Sequence, residues 1–269
     1  MRLLRGEFTK TMFQKRTYFG WAGLTAIPII MVLALSLSSK KPGAGEGPPF
    51  FSQAVHNGMF IPLAAIAALS FFLLPLVASM AGSFPLAGEA EQGTIKTWLV
   101  HPVSRGGVLL SKWVVAVFYV FIGMTLVAAA GLAAGGIAFG IHPVTLLFGG
   151  SVSVAHGLLL TLLAYLIILA ATICVVSLAM FFSTLANSSL TAAVGALVVF
   201  IVMQILGSFS LFDFLKPYLF TSHLDAWQNL FSRPIVWHPI YTALITFGVY
   251  VVALTGAAWA VFRRKDVLV

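Results

Sequence analysis

The feature that most constrains this chain is a run of 100 residues, from Trp113 to Phe212, that contains no Asp, Glu, Lys or Arg. A membrane-spanning helix needs about 20 mostly apolar residues, so the run has room for three spans joined by two turns. Glycine or small polar residues near 140–151 and 182–189 provide those turns. Over the whole chain, 8% of residues are charged and 60% are apolar. Because a soluble domain carries about 25% charged residues, the sequence predicts an integral membrane protein.

The predicted fold is an all-α polytopic membrane protein with a single transmembrane domain over residues 1–269. Six helices are predicted to cross the membrane, at about residues 17–39, 58–80, 113–139, 155–182, 189–209 and 240–262. Residues 1–16 have the pattern of a basic amphipathic helix, which lies in the headgroup plane. Residues 210–238 hold too many aromatic side chains for a loop in water. They are predicted to form a re-entrant helical hairpin between spans 5 and 6, on the outer face.

The distribution of basic residues predicts that both termini are cytoplasmic. In this orientation the inner segments hold eleven Lys and Arg residues and the outer segments hold four, in agreement with the positive-inside rule. The alternative is that the first span is a cleaved signal peptide, but its apolar core is longer than the roughly 7–15 residues typical of such peptides. We therefore expect this span to be retained, which gives an even number of spans.

The residues present exclude or disfavour several kinds of chemistry. No GxxxxGK[ST] motif is found, so the chain has no phosphate loop of its own for a nucleotide. No HExxH motif, carboxylate pair or Cys/His cluster suggests a metal or cofactor. The net charge of +8 is explained by orientation in the membrane, so no nucleic-acid partner is predicted. The spans contain no Asp, Glu, Lys or Arg, which disfavours a carrier with its own proton relay.

Charge is concentrated in residues 88–112, GEAEQGTIKTWLVHPVSRGGVLLSK, between the second and third spans. From Glu91 onward, apolar residues recur at i+4, i+7 and i+8 and form one helical face that includes Trp98. Pro102 ends this helix because its ring and missing N–H oppose continuation, and Ser104 is well placed to cap the next helix. The spacing predicts a short amphipathic helix on the cytoplasmic face, held between two spans.

Three segments of this stretch carry a recognisable pattern. They are Glu89-Ala-Glu91-Gln92-Gly93-Thr94-Ile95-Lys96, Pro102-Val103-Ser104-Arg105 and Leu109-Leu110-Ser111-Lys112. The pattern resembles permease subunits of the type-two ATP-binding-cassette (ABC) exporters. In that family an acidic residue, Gly-Thr and a helical turn follow the second span, and a Pro-x-Ser-Arg turn and a lysine begin the third. The interfacial first helix, the six spans and the re-entrant hairpin extend the resemblance over the whole chain.

The resemblance implies a cytoplasmic ABC ATPase as a partner, in two copies, with ATP and Mg bound by that subunit and no cofactor bound by this chain. It also implies a second permease chain, expected to be identical so that the pair is a homodimer, in the plasma membrane of a prokaryote. Residues 86–104 are then the cytoplasmic coupling segment. The implied ATPase-coupling residues are Glu89, Glu91, Gly93, Thr94, Ile95, Trp98, Pro102 and Arg105. Which of the two glutamates contacts the ATPase stays open.

The predicted function is that of a transport subunit, not an enzyme: the transmembrane permease of an ATP-driven exporter, which forms half of the translocation path. Because the spans lack charge, the expected cargo is amphipathic or lipid-like, such as a drug, peptide or antibiotic. Thr172 and Gln204 are candidate path-lining groups. One alternative is a non-transporting membrane assembly or sensing factor that receives mechanical work from an ABC ATPase. Another is an intramembrane hydrolase that rests on His156 with Ser151 or Ser153.

Overall fold

The computed structural model describes residues 2–38, 50–93, 104–145 and 151–264. Nearly all of these residues are helical. The α-helices are α1 (Arg2–Met12), α2 (Lys15–Leu37), α3 (Phe51–Ala54), α4 (Ile61–Phe71), α5 (Leu73–Glu91), α6 (Arg105–Phe139), α7 (Val154–Leu185), α8 (Ser189–Ser208) and α9 (Trp237–Arg264). The other described elements are the 3-10 helices Gly58–Phe60, Ser210–Phe212 and Phe220–Phe231 and an antiparallel ribbon of β1 (Val144–Thr145) and β2 (Ser151–Val152).

Six of the described helices are long and apolar enough to cross a membrane, namely α2, α5, α6, α7, α8 and α9. This result confirms the predicted all-α fold with six spans. Helix α7 lies at the centre of the bundle, where it packs against α5, α8 and α9. It is apolar all round because its neighbours cover most of its faces.

The residues predicted as the second span, 58–80, lie on two helices, α4 and the first part of α5, with a break at Phe72. Pro75 accounts for the break, since a proline ring clashes with the carbonyl of the residue four positions earlier, Phe71, where α4 ends. Helix α5 then continues to Glu91, well beyond the predicted end of the span at residue 80. Residues 86–91, predicted as the start of the coupling segment, are therefore its last turns. The chain turns at Gly93, whose positive φ of 67° is a conformation that glycine adopts without strain.

The helix that contains the third predicted span is also longer than that span, because α6 begins at Arg105 rather than near residue 113. The Oγ of Ser104 accepts a hydrogen bond from the Gly107 amide at 3.2 Å, which confirms the predicted helix cap. Lys112 therefore lies inside the helix, about two turns from its beginning.

A close backbone contact joins the start of the second span to α6 at the end of the bundle where α6 ends. A Cβ on Gly58 would lie 2.2 Å from the carbonyl oxygen of Gly135, so this approach requires glycine. Asn57 caps the 3-10 helix that begins there and donates a hydrogen bond to the His142 carbonyl at 2.8 Å. These contacts fix the end of α6 against the segment before α4.

The chain between α8 and α9 covers the same end of the bundle with aromatic side chains. Trp227 and Phe231 are buried, and their ring centroids lie 5.6 and 5.0 Å from that of Phe50. Phe220 is also buried and contacts the Tyr250 ring on α9 at 5.1 Å. The burial of these rings explains why this segment is so apolar. That it re-enters a membrane stays a prediction.

Candidate functional site

An ionic cluster joins α1, α5 and α6 at one end of the bundle, which we call the charged end. Lys112 on α6 places its Nζ 2.9 Å from Oε1 of Glu7 and 2.7 Å from Oε1 of Glu89. Lys10 on α1 donates a hydrogen bond to the same oxygen of Glu89. We refer to Glu7, Lys10, Glu89 and Lys112 as the Lys112 cluster. Its two lysines and two glutamates balance in formal charge.

Burial distinguishes this cluster from ion pairs on a protein surface. The side chains of Lys112, Glu7 and Glu89 are 1%, 6% and 5% exposed, and Lys10 lies at the rim with 44% exposure. Removing one partner of a buried ion pair costs about 3–5 kcal/mol, whereas an exposed pair contributes about 0–1 kcal/mol. The cluster therefore fixes α1 against the start of α6 and the end of α5.

The cluster exists because helices extend beyond the apolar spans. Glu7 and Lys10 are three residues apart on α1, so they lie on neighbouring positions of one helical face. Glu89 lies in the last turn of α5, which continues past the residues that hydropathy assigns to the span. Lys112 lies inside α6 because that helix starts early, after its cap at Ser104. The charged groups of α1, α5 and α6 are thus in contact with one another.

Glu91 connects the end of α5 to the start of α8. Its Oε2 accepts a hydrogen bond from the Ser189 amide at 3.2 Å and another from the Ser189 hydroxyl at 2.8 Å. The first amides of a helix have no acceptor within the helix, so a carboxylate there is stabilising. Glu91 is exposed, in contrast to Glu89. Two positions along a helix correspond to a rotation of about 200°, which is why the two glutamates contact different neighbours.

A buried serine connects α7 to the same part of α5. The Ser183 hydroxyl accepts a hydrogen bond from the Ala87 amide at 2.8 Å and donates one to the Ser83 carbonyl at 2.6 Å. These are the amide and carbonyl that a regular α-helix pairs directly, so the hydroxyl bridges them. The last turns of α5 are thereby attached to α7 as well as to α1, α6 and α8.

The start of α6 is also attached to the last span. Arg105 donates a hydrogen bond from Nη1 to the Arg263 carbonyl at 3.1 Å, near the end of α9. The two helices that flank residues 94–103 are therefore both anchored to other helices.

The predicted coupling residues divide into two groups. Those that are described all lie at the charged end, and they are Glu89, Glu91, Gly93 and Arg105. Those that lie outside the described residues are Thr94, Ile95, Trp98 and Pro102. The predicted amphipathic helix between the spans therefore stays a prediction.

The other residues singled out from the sequence are on α7 and α8. Thr172 is buried near the middle of α7 and donates a hydrogen bond to the Ile168 carbonyl of the same helix at 2.7 Å. Gln204 is partly exposed on α8. The Ser153 hydroxyl accepts a hydrogen bond from the backbone amide of His156 at 3.4 Å, and it thus caps the start of α7. Among the described ranges, no three His, Cys, Asp or Glu residues are placed to hold a metal ion.

The contacts of Glu7, Lys10 and Ser189 at this site were not predicted from the sequence. A signal was present for Glu7, which is the only acidic residue among the first 45. Lys112 is the last charged residue before the uncharged run, but the sequence does not indicate which residues pair with it. The pairing of Glu7 with Lys112 joins residues 105 positions apart, so no local pattern could reveal it.

The six long apolar helices indicate a multi-pass membrane protein. A family model for ABC-2 family transporter proteins matches residues 5–267, which is nearly the whole chain. The chain therefore belongs to the ABC-2 family of transporter proteins, and it is a transmembrane permease subunit of an ABC transporter.

A relative with a similar segment carries a permease name. Over 52 residues the chain is 40% identical to "Probable ABC transporter permease protein NosY" of Stutzerimonas stutzeri. The similar segment covers 19% of this chain and 19% of that protein. The chain thus matches about a fifth of the length of this relative, and the match agrees with the family at the level of the permease class.

Proposed function

We propose that the chain is the permease subunit of an ATP-driven exporter and forms half of the translocation path, with an identical chain as the other half. A separate cytoplasmic ATPase subunit, in two copies, binds ATP and Mg, and this chain binds no cofactor. Both termini lie on the cytoplasmic side of the plasma membrane of a prokaryote. The observation that carries the proposal is the charged end, where α1, α7, α8 and α9 are attached to the two helices that flank residues 94–103.

In this proposal the ATPase docks on residues 86–104, and the two glutamates have different roles. Glu89 acts inside the permease, because its side chain is 5% exposed and already contacts Lys112. Glu91 is the glutamate available to the ATPase, because it is exposed and its contact with Ser189 lies at the surface. ATPase closure displaces the segment, and the attached helices rearrange at the interface between the two permease chains.

The cargo we propose is amphipathic or lipid-like, such as a drug, a peptide or an antibiotic. Support comes from the six predicted spans, which contain no Asp, Glu, Lys or Arg. A path without fixed charge offers an ion no compensation for its lost hydration. Gln204, partly exposed on α8, is the polar group we assign to the path, and Thr172 lies deeper within the chain.

The test is ATP-driven flux in vesicles that contain the full chain and its cognate ABC ATPase. We expect accumulation of a fluorescent amphipathic probe that depends on ATP. Glu91→Ala should abolish the flux while ATP hydrolysis continues, and Asp213→Ala, an exposed carboxylate 63% accessible and outside the charged end, should change neither. Hydrolysis without flux of any tested probe would instead favour the assembly or sensing factor. A hydrolytic activity that is lost in His156→Ala and fully kept in Glu91→Ala would favour the intramembrane hydrolase.

A further inference from the structure

A cavity of about 360 Å³ opens between α1, α2, α5 and α6 at the charged end. The Lys112 cluster forms its base, and its upper wall is apolar, with Val77, Met80 and Ala81 on α5. These wall residues precede Glu89 by 8 to 12 positions, so the cavity extends about 12–18 Å from the charged end along the span. Its volume is within the range of small-molecule sites, which is about 300–1,000 Å³.

The lining of this cavity includes apolar side chains that are exposed on the outside of the bundle. Phe19 on α2 and Met80 on α5 both line it, and they are 77% and 40% exposed. Exposed apolar side chains on two membrane-spanning helices are positioned to contact acyl chains. A ligand that enters here meets apolar groups along its length and charged groups at one end.

One cation of the cavity has no carboxylate partner in the described part of the chain. The lining holds Lys10, Lys112 and Arg16 against two glutamates, which leaves one positive charge in excess. Lys10 and Lys112 are paired with those glutamates. Arg16 donates from Nε to Gln14 at 2.7 Å, and its guanidinium lies 4.1 Å from the centre of the Phe84 ring.

Arg16 is well suited to hold a phosphate at the membrane interface. It is the second residue of the first span, so it lies where the apolar part of α2 begins, at headgroup depth. A guanidinium forms bidentate hydrogen bonds with phosphate oxygens, and Phe84 holds its plane in place. The excess positive charge favours a headgroup that carries a phosphate and no ammonium group. Lys10 and Arg16 would both repel the ammonium group of a zwitterionic headgroup.

We infer that this cavity is a binding site for one anionic phospholipid, whose phosphate contacts Arg16 and Lys10 and whose acyl chain lies along Val77, Met80 and Ala81. The lipid fills the space between α1 and the second span. Lipid binding at this cavity involves the permease chain alone and requires neither the ATPase nor export.

The experiment is native mass spectrometry of the purified full-length chain, titrated with dioleoylphosphatidylglycerol or dioleoylphosphatidylcholine. We expect tighter retention of phosphatidylglycerol and a roughly five- to tenfold weaker apparent affinity for it in Arg16→Gln. Arg16→Lys, which keeps the charge, should recover most of the affinity. Arg264→Gln is the matched control, because Arg264 is exposed at the end of α9 and does not line the cavity, and it should leave the affinity unchanged.

A second variant tests the acyl-chain wall. Ala81→Phe fills the upper cavity without changing charge, and it should weaken phosphatidylglycerol retention about fivefold or more while elution on size exclusion is unchanged. If it fails to fold, the Arg16→Gln and Arg16→Lys pair decides the question.

Equal losses in Arg16→Gln and Arg264→Gln, or equal retention of both lipids, would overturn the inference. Competition by millimolar inorganic phosphate would overturn it in favour of a free-anion site, and loss of lipid binding on dimer formation would assign the mouth to a second copy of the chain.

Discussion

Replacing Lys112 with methionine removes the cation that Glu7 and Glu89 share while keeping a long, unbranched side chain. In the native chain the two carboxylates lie 2.9 and 2.7 Å from Nζ, and the lysine side chain is 1% exposed. At an effective dielectric constant of about 20, one such pair contributes on the order of 6 kcal/mol before desolvation is subtracted. The variant loses both attractions and leaves Glu7 buried without this cation, which should cost about 3–5 kcal/mol of unfolding free energy.

Thermal unfolding of the full-length chain in detergent, followed by circular dichroism, measures this loss. We expect a fall in Tm of about 10 °C, since 1 kcal/mol shifts Tm by about 2–4 °C in a chain of roughly this size. Lys216→Met is the matched control, because Lys216 pairs with Asp213 at 2.7 Å but the two side chains are 40% and 63% exposed. It should lose less than about 1 kcal/mol.

Combining Lys112→Met with Glu7→Gln separates charge pairing from packing. The double variant has no unpaired charge at residue 7, so it should be more stable than the sum of the two single losses predicts, by about 2 kcal/mol. Equal Tm losses in Lys112→Met and Lys216→Met, or strict additivity in the double variant, would refute the reasoning.

Two further predictions concern the end of the bundle opposite the Lys112 cluster. Gly58→Ala should lower Tm and the folded yield because the new Cβ would lie 2.2 Å from the Gly135 carbonyl, whereas Gly248→Ala has open space and should be neutral or slightly stabilising. The same unfolding scan compares them, and equal Tm values would contradict the close approach. Trp227→Ala should cost about 3–5 kcal/mol because a buried ring is lost, and Trp237→Ala, 46% exposed, should cost less than half as much. A ranking in the opposite order in denaturant titrations would show that the aromatic cluster is not packed as described.

The number of spans could be predicted because apolar length is a local property of the sequence. The run from Trp113 to Phe212 lacks charge, and its two turns fall where small polar residues interrupt it. The cap at Ser104 was predictable for the same reason, since a cap depends on residues within one turn. Features set by a single segment were therefore accessible from the sequence.

The charged end could not be predicted because it depends on how far helices extend and on which helices become neighbours. Helix α5 continues to Glu91 and α6 starts at Arg105, in both cases past the residues that hydropathy assigns to a span. Whether Glu89 is buried depends on Lys112 and α1, which are distant in sequence. The family resemblance left open which of the two glutamates contacts the ATPase, and only the fold shows that they have different neighbours within the chain.

The most direct test of the account is whether ATP changes the geometry of the charged end. Pulsed electron paramagnetic resonance can measure the distance between spin labels at positions 13 and 190, whose native Phe13 and Leu190 are 85% and 71% exposed. The native Cys174 is buried, so introduced cysteines can be labelled selectively. In complexes with the ATPase that carry one labelled chain, we predict an ATP-dependent shift of about 2–5 Å that disappears in Glu91→Ala although hydrolysis continues. Identical distances with and without ATP, or an unchanged shift in Glu91→Ala, would contradict the account.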